Sequence, residues 1–239
     1  MSPTPAGLQE SLRQQLVSQK PFALLHELRT KALFDSAFVR RAAIGSRLLR
    51  PDELPGEVLL LIKGEVRLLV KNGSDESTLC KRGAGQLLGW SSLIRAEPCE
   101  WVQASTDVEF IAFPGELWVQ LIRQERDFAS YFFNLPGLQE AHEVALAAAE
   151  LHPRLSSDWD IDLIDRCMTA HVVSIFPGEV FKPPVSESPQ FDWFLSSGCV
   201  PDHPVGLSIA AGSKLPERPG FLLPYRLIGL QRNSSLPVS

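Results

Sequence analysis

No stretch of this 239-residue chain approaches the roughly 18–20 consecutive apolar residues that a membrane helix needs. The opening MSPTPAGLQESLRQQL lacks the charged-then-apolar order of a secretory signal, so a cytoplasmic protein is expected. Cys80, Cys99, Cys167 and Cys199 stand far apart with no C-x-x-C pair. That excludes a zinc knuckle or a thioredoxin-like motif and leaves four free thiols as the expectation. The histidines are His26, His142, His152, His171 and His203, and none lies between residues 40 and 113. A metal site built on His-x-His and a carboxylate has no ligands there. No Walker loop, nucleophile elbow or H-E-x-x-H occurs, so the expectation is a non-enzyme without a metal. Basic residues do not dominate either: 23 Lys and Arg face 28 Asp and Glu, a net charge of -5. Without a basic arm or cluster, nucleic acid is not an expected partner.

The composition that remains, 44% hydrophobic and 21% charged, suits an ordinary globular protein of one large or two small domains. Leu8, Leu12, Leu16, Leu24, Leu25, Leu28 and Leu33 recur at helical spacing over residues 7–34, interrupted by Pro21. From Ala42 the period changes. Short apolar runs around Ile44–Leu49, Val58–Ile62 and Val66–Val70 are separated by Pro, Asp and Gly, and Asn72-Gly73 is a tight-turn signal. Val102, Val108, Phe110 and Ala112 add two strands, and so many short strands suggest an antiparallel roll or barrel. Helix returns after Pro114-Gly115, with Trp118, Leu121, Ile122, Phe128 and Phe132 in one stripe. A second stripe after Pro136-Gly137 runs Leu138, Ala141, Ala145, Ala148 and Leu151. Packing on the roll or a homodimer through these helices would each cover such stripes.

The last third echoes the first. Pro177-Gly178-Glu179-Val180-Phe181 follows Ile44-Gly45-Ser46-Arg47-Leu48 at a distance of 133, and Leu195-Ser196-Ser197-Gly198 follows Leu61-Ile62-Lys63-Gly64 at 134. Arg226-Leu227-Ile228-Gly229-Leu230 matches Gln86-Leu87-Leu88-Gly89-Trp90 at 140, so a second, incomplete copy of the roll is expected over residues 153–239. This leaves N-terminal helices over 1–35 and a first roll with its following helices over 36–152.

The richest segment is Gly85-Gln86-Leu87-Leu88-Gly89-Trp90-Ser91-Ser92-Leu93-Ile94, followed by Pro98-Cys99-Glu100-Trp101-Val102-Gln103-Ala104. Backbone N–H groups after a glycine, free of bulky neighbours and faced by a fixed cation, are what an anionic phosphate needs. With Gly64-Glu65-Val66 before it, this segment resembles the cassette of the cyclic-nucleotide-binding domain family, over roughly residues 20–150. The resemblance implies an α+β fold: an antiparallel, double-stranded β-helical roll with flanking helices, here with a partial second roll. It implies a regulatory or ligand-sensing module, and a cyclic nucleotide or another small anion as ligand.

Two departures stand against ordinary cyclic AMP binding. Trp90 occupies the position of the family's ribose-binding glutamate, and Cys99 that of its phosphate-binding arginine. Loss of a charged, bidentate partner for phosphate costs on the order of several kcal/mol. The candidate site is therefore a degenerate one: Gly89, Trp90, Ser91, Ser92, Arg95 and Cys99. Trp90 is either a core plug or a stacking platform for a base, and Cys99 a small buried residue or a redox sensor. Arg95 is either a replacement cation or a solvated surface residue, and Glu100 either its local partner or an acid opposing phosphate. The Pro98-Cys99-Glu100 motif, the tryptophan after the glycine and the second roll also resemble the N-terminal regulatory region of bacterial peptidase-linked ABC exporters. That likeness implies a membrane exporter subunit or domain as partner. The helix-turn-helix of related transcription regulators has no counterpart after His152.

Overall fold

The computed structural model describes residues 10–72, 75–153, 163–184, 190–198, 200–217 and 223–232. The chain forms two compact units, one of Met1–Ile94 with Pro98–Phe132 and one of Arg95–Glu97 with Phe133–Ser239.

In the first unit the leading helical run is broken where Pro21 must break it, since proline donates no N–H and crowds the preceding turn. The pieces are α1 (Glu10–Val17), a 3-10 turn at Phe22–Leu24 and α2 (Glu27–Asp35). Two four-stranded antiparallel sheets follow. One runs β1 (Phe38–Ala42), β8 (Val108–Pro114), β3 (Glu57–Lys63), β6 (Leu87–Leu88) in spatial order. The other runs β2 (Arg47–Leu49), β7 (Val102–Ala104), β4 (Val66–Asn72), β5 (Asp75–Arg82). The β4–β5 ladder pairs as far as Asn72 with Asp75, while the glycine of the expected tight turn, Gly73, lies outside the described residues.

Between the sheets sits an apolar interior that includes Leu59, Leu61, Leu68, Val102 and Phe110. The other face of β3 and β8 is covered by helices, which explains why Val58 to Leu61 are all buried instead of alternating. A strand covered on both faces reads as a continuous apolar run. The covering layer is aromatic: Phe34 meets Phe113 edge-to-face at 5.5 Å, and Trp118 meets Phe128 and Phe132 at 5.2 and 5.4 Å. Trp118, Phe128 and Phe132 come from α4 (Gly115–Gln124) and α5 (Arg126–Phe133), the stripe legible in the sequence. This is the cyclic-nucleotide-binding-like β-roll that the resemblance implies.

Gly64, between β3 and β4, fixes the chain reversal. Its φ is +87°, and a Cβ there would stand 2.4 Å from the Asp107 carbonyl oxygen. Gly64→Ala is expected to destabilise the first unit by at least about 1–2 kcal/mol from left-handed backbone strain alone, with the clash adding to it. Urea unfolding monitored by circular dichroism checks this.

The second unit opens with α6 (Leu138–Leu151), continues with α7 (Leu163–Met168), and builds a three-stranded antiparallel sheet. Its strands are β9 (His171–Ile175), β11 (Tyr225–Gln231) and β10 (Phe191–Leu195), in that spatial order. Ala141, Val144, Ala145 and Ala148 of α6 pack on Phe194, Ile228 and Leu230. That packing places α6 in the second unit, not with the first roll as its position before residue 152 suggested. The stripe is thereby buried within the unit at Ala141, Ala145 and Ala148 but not at its last residue, and a homodimer through this helix would have to use the exposed Leu146 and Leu151.

The echo between the two rolls is real in its first half and differs in its second. In the first unit Phe38 faces Ala112, which faces Leu59. In the second, His171 faces Gly229, which faces Trp193. His171 lies 133 positions after Phe38 and Trp193 lies 134 after Leu59, but Gly229 lies only 117 after Ala112. Gly45 and Gly178, also 133 apart, have φ of +84° and +85°. Residues 226–230 are thus the counterpart of β8, not of the cassette turn. Gly229 is a strand residue pressed against the Trp193 ring, where a Cβ would come within 2.9 Å. The connection that carries the cassette in the first roll is 17 residues shorter here, the difference between 134 and 117. Among the described residues the second roll has no cassette helix.

Candidate functional site

The cassette is reached from β6, turns at Gly89 and enters α3 (Trp90–Arg95). Gly89 has φ +89°, and a Cβ there would sit 2.8 Å from the Glu57 carbonyl oxygen. The turn therefore needs glycine, and it aims the backbone N–H groups of Gly89 and Ser92 toward one point.

That point is occupied by a side chain of the protein itself. Gly89 donates its N–H to Glu100 Oε1 at 2.7 Å. Ser92 donates its N–H to Glu100 Oε2 at 3.1 Å and its hydroxyl to the same oxygen at 2.9 Å. Glu100 is buried, as are Ser91 and Ser92. Burial pushes the Glu100 carboxyl above the ordinary glutamate value, and the hydrogen bonds from Ser92, Gly89 and Ser91 offset only part of that rise. Its hydrogen-bond donors are neutral N–H and hydroxyl groups.

The six candidate residues meet three different fates. Gly89, Ser91, Ser92 and Cys99 gather around Glu100. Cys99 donates its N–H to Ser92 Oγ at 3.2 Å, and its sulfur lies 3.4 and 3.6 Å from the Ser92 and Ser91 hydroxyls. The small, buried reading of Cys99 is the one the geometry supports. Trp90 is 6% exposed and its ring packs on Phe132 at 5.2 Å, so it is a core plug with no open face for a base. Arg95 takes no part. It belongs to the second unit, where its side chain is fully buried, its Nε donates to the Ser196 carbonyl at 2.8 Å, and it pairs with Glu143. It is neither a replacement cation for the cassette nor a solvated surface residue, and its acid partner is Glu143, not Glu100.

Residues that the candidate set left out matter most. Glu100 is one; a lone acid inside the apolar run Cys99, Trp101, Val102 was the available signal, because a buried acid must find donors. The other is a fully buried ion pair in the second unit. Arg226 donates from Nε and one terminal nitrogen to the two Glu140 oxygens at 2.8 and 2.9 Å. Glu140 also accepts from the Ser196 hydroxyl at 2.7 Å and from the Gly137 N–H at 3.2 Å. Burial alone would raise the Glu140 carboxyl, but the charge and hydrogen bonds of Arg226, with Arg95 and Ser196, hold it below its ordinary value.

Residues 39–125 match the family model described as cyclic nucleotide-binding domain. No curated protein matches the chain. Among solved structures, the sensor domain of the transcriptional regulator DNR from Pseudomonas aeruginosa is 16% identical, with 64% of this chain and 96% of that chain covered and a TM-score of 0.47. The regulatory domain of Toxoplasma gondii PKA, crystallised with cAMP, is 12% identical, with coverage of 96% and 91% and a TM-score of 0.47. The regulatory subunit of a cAMP-independent protein kinase A from Trypanosoma cruzi, bound to guanosine, is 16% identical, with coverage of 51% and 47% and a TM-score of 0.40. No helix among the described residues is long and apolar enough to cross a membrane.

Proposed function

We propose that this chain is a non-catalytic regulatory module that acts on a protein partner without cyclic nucleotide. The observation that carries the reading is Glu100: its carboxylate engages the Gly89 and Ser92 donors that a phosphate would need. An incoming phosphate would have to break those bonds and then lie against a carboxylate, with Cys99 where a cation should stand. Trp90, buried against Phe132, fills the position of the ribose-binding acid. What remains is a roll whose β3 and β8 strands carry helices on their outer face, suited to holding helices and loops for a partner.

An exporter as that partner rests on the Pro98-Cys99-Glu100 motif. Cys99 and Glu100 already have an internal role, so the motif does not by itself require an exporter. Calorimetric titration of the whole chain with cyclic AMP and with cyclic GMP tests the central reading. No heat of binding is expected up to millimolar ligand; saturable micromolar binding of either nucleotide would overturn it.

A further inference from the structure

We infer that Glu100 is an internal occupant that fixes the conformation of the cassette, so that residues 89–100 are held in one state by the chain itself. The inference deepens the functional reading and rests on it: a module without a diffusible ligand needs another means of ordering a segment shaped around an anion. The geometry supplies one. The two carboxylate oxygens take separate jobs, Oε1 binding the Gly89 N–H and Oε2 binding the N–H and hydroxyl of Ser92. Ser92 Oγ in turn accepts from the Cys99 N–H, which closes the loop on the residue next to Glu100. The segment is therefore tied at its start, in its first helical turn and at its return, all through one carboxylate and one hydroxyl. The contact is autoinhibitory in kind, because the donors cannot serve a second anion while Glu100 holds them.

Amide hydrogen exchange on the whole chain tests this. Glu100→Gln keeps one acceptor oxygen where two are needed, so the amide of Gly89 or of Ser92 must lose its partner. Exchange at one of these amides is expected to rise roughly ten- to hundredfold, while Leu60 and Ile111 in the sheet stay protected. Unchanged protection at both amides would overturn the inference. Should the variant not fold, the wild-type protein decides: the Gly89 and Ser92 amide resonances are expected to shift together with the Glu100 carboxyl carbon as pH changes. Independent behaviour would overturn the inference. Nucleotide binding by the wild-type chain would overturn the functional reading, while raised exchange in Glu100→Gln would still establish the contact in the unliganded chain. Unchanged exchange would overturn the contact and leave the functional reading resting on Trp90 and Cys99.

Discussion

Arg226→Ala is expected to lower the stability of the second unit by about 3–5 kcal/mol, the cost of stranding a buried charge. The reason lies on the other side of the pair. Glu140 is fully buried and, among the described residues, would keep the Ser196 hydroxyl and the Gly137 N–H as hydrogen-bond donors after the guanidinium is gone. Two neutral donors and the charge of Arg95 do not offset the desolvation of a fully buried carboxylate. Hydrogen exchange at the β10 and β11 amides reads this unit separately from the first. A loss below about 1 kcal/mol would place the pair with ordinary surface ion pairs. The double replacement Glu140→Leu with Arg226→Met should recover most of the loss, since apolar substitutes of similar volume remove both desolvation costs. Arg40→Ala is the contrast: Arg40 binds Glu57 through two 2.7 Å bonds, but the pair is largely exposed, and a change of at most about 1 kcal/mol is expected.

The roll was legible because its information is local. Glycine turns, short apolar runs and the doubly covered strand at Val58–Leu61 each follow from neighbours in sequence, as do the stripes that became α4, α5 and α6. The repeat was legible only while its spacing held. At Arg226–Leu230 a short glycine match suggested a cassette, whereas strand pairing assigns those residues to the counterpart of β8. A pattern of five residues cannot say which strand it will pair with, because register is a property of the partner. The polar centres were the least legible, for the same reason. Glu100 finds its donors eight and eleven positions back, Arg95 finds Ser196 at 101, and Arg226 finds Glu140 at 86. A charged residue in an apolar run announces that a partner exists without saying where.

Those two buried carboxylates, Glu100 and Glu140, should respond to pH in opposite directions, and the difference follows from what surrounds each. Glu140 faces Arg226 and the charge of Arg95, which together overcome the effect of burial and depress its folded value. A depressed carboxylate adds stability above its unfolded pKa, roughly 4.3 for glutamate, and that contribution is lost as pH falls through the lower folded value. Glu140→Gln should therefore be most damaging near pH 7, by a few kcal/mol, with the deficit shrinking steadily below about pH 4. Glu100 is bound by N–H and hydroxyl donors, and burial leaves its folded value raised. A raised carboxylate contributes its full stability below the unfolded pKa and loses it as pH rises through the folded value, because the buried site resists ionisation. The standing of Glu100→Gln relative to wild type should then improve between pH 4 and neutrality, even though the glutamine orphans one amide. Urea unfolding of both variants and wild type from about pH 2 to about pH 8, followed by unit-resolved hydrogen exchange, gives the two slopes. Parallel slopes would mean that a cation reaches Glu100 as one reaches Glu140, and the cassette would then be an ion-paired site instead of a carboxylate held by neutral donors.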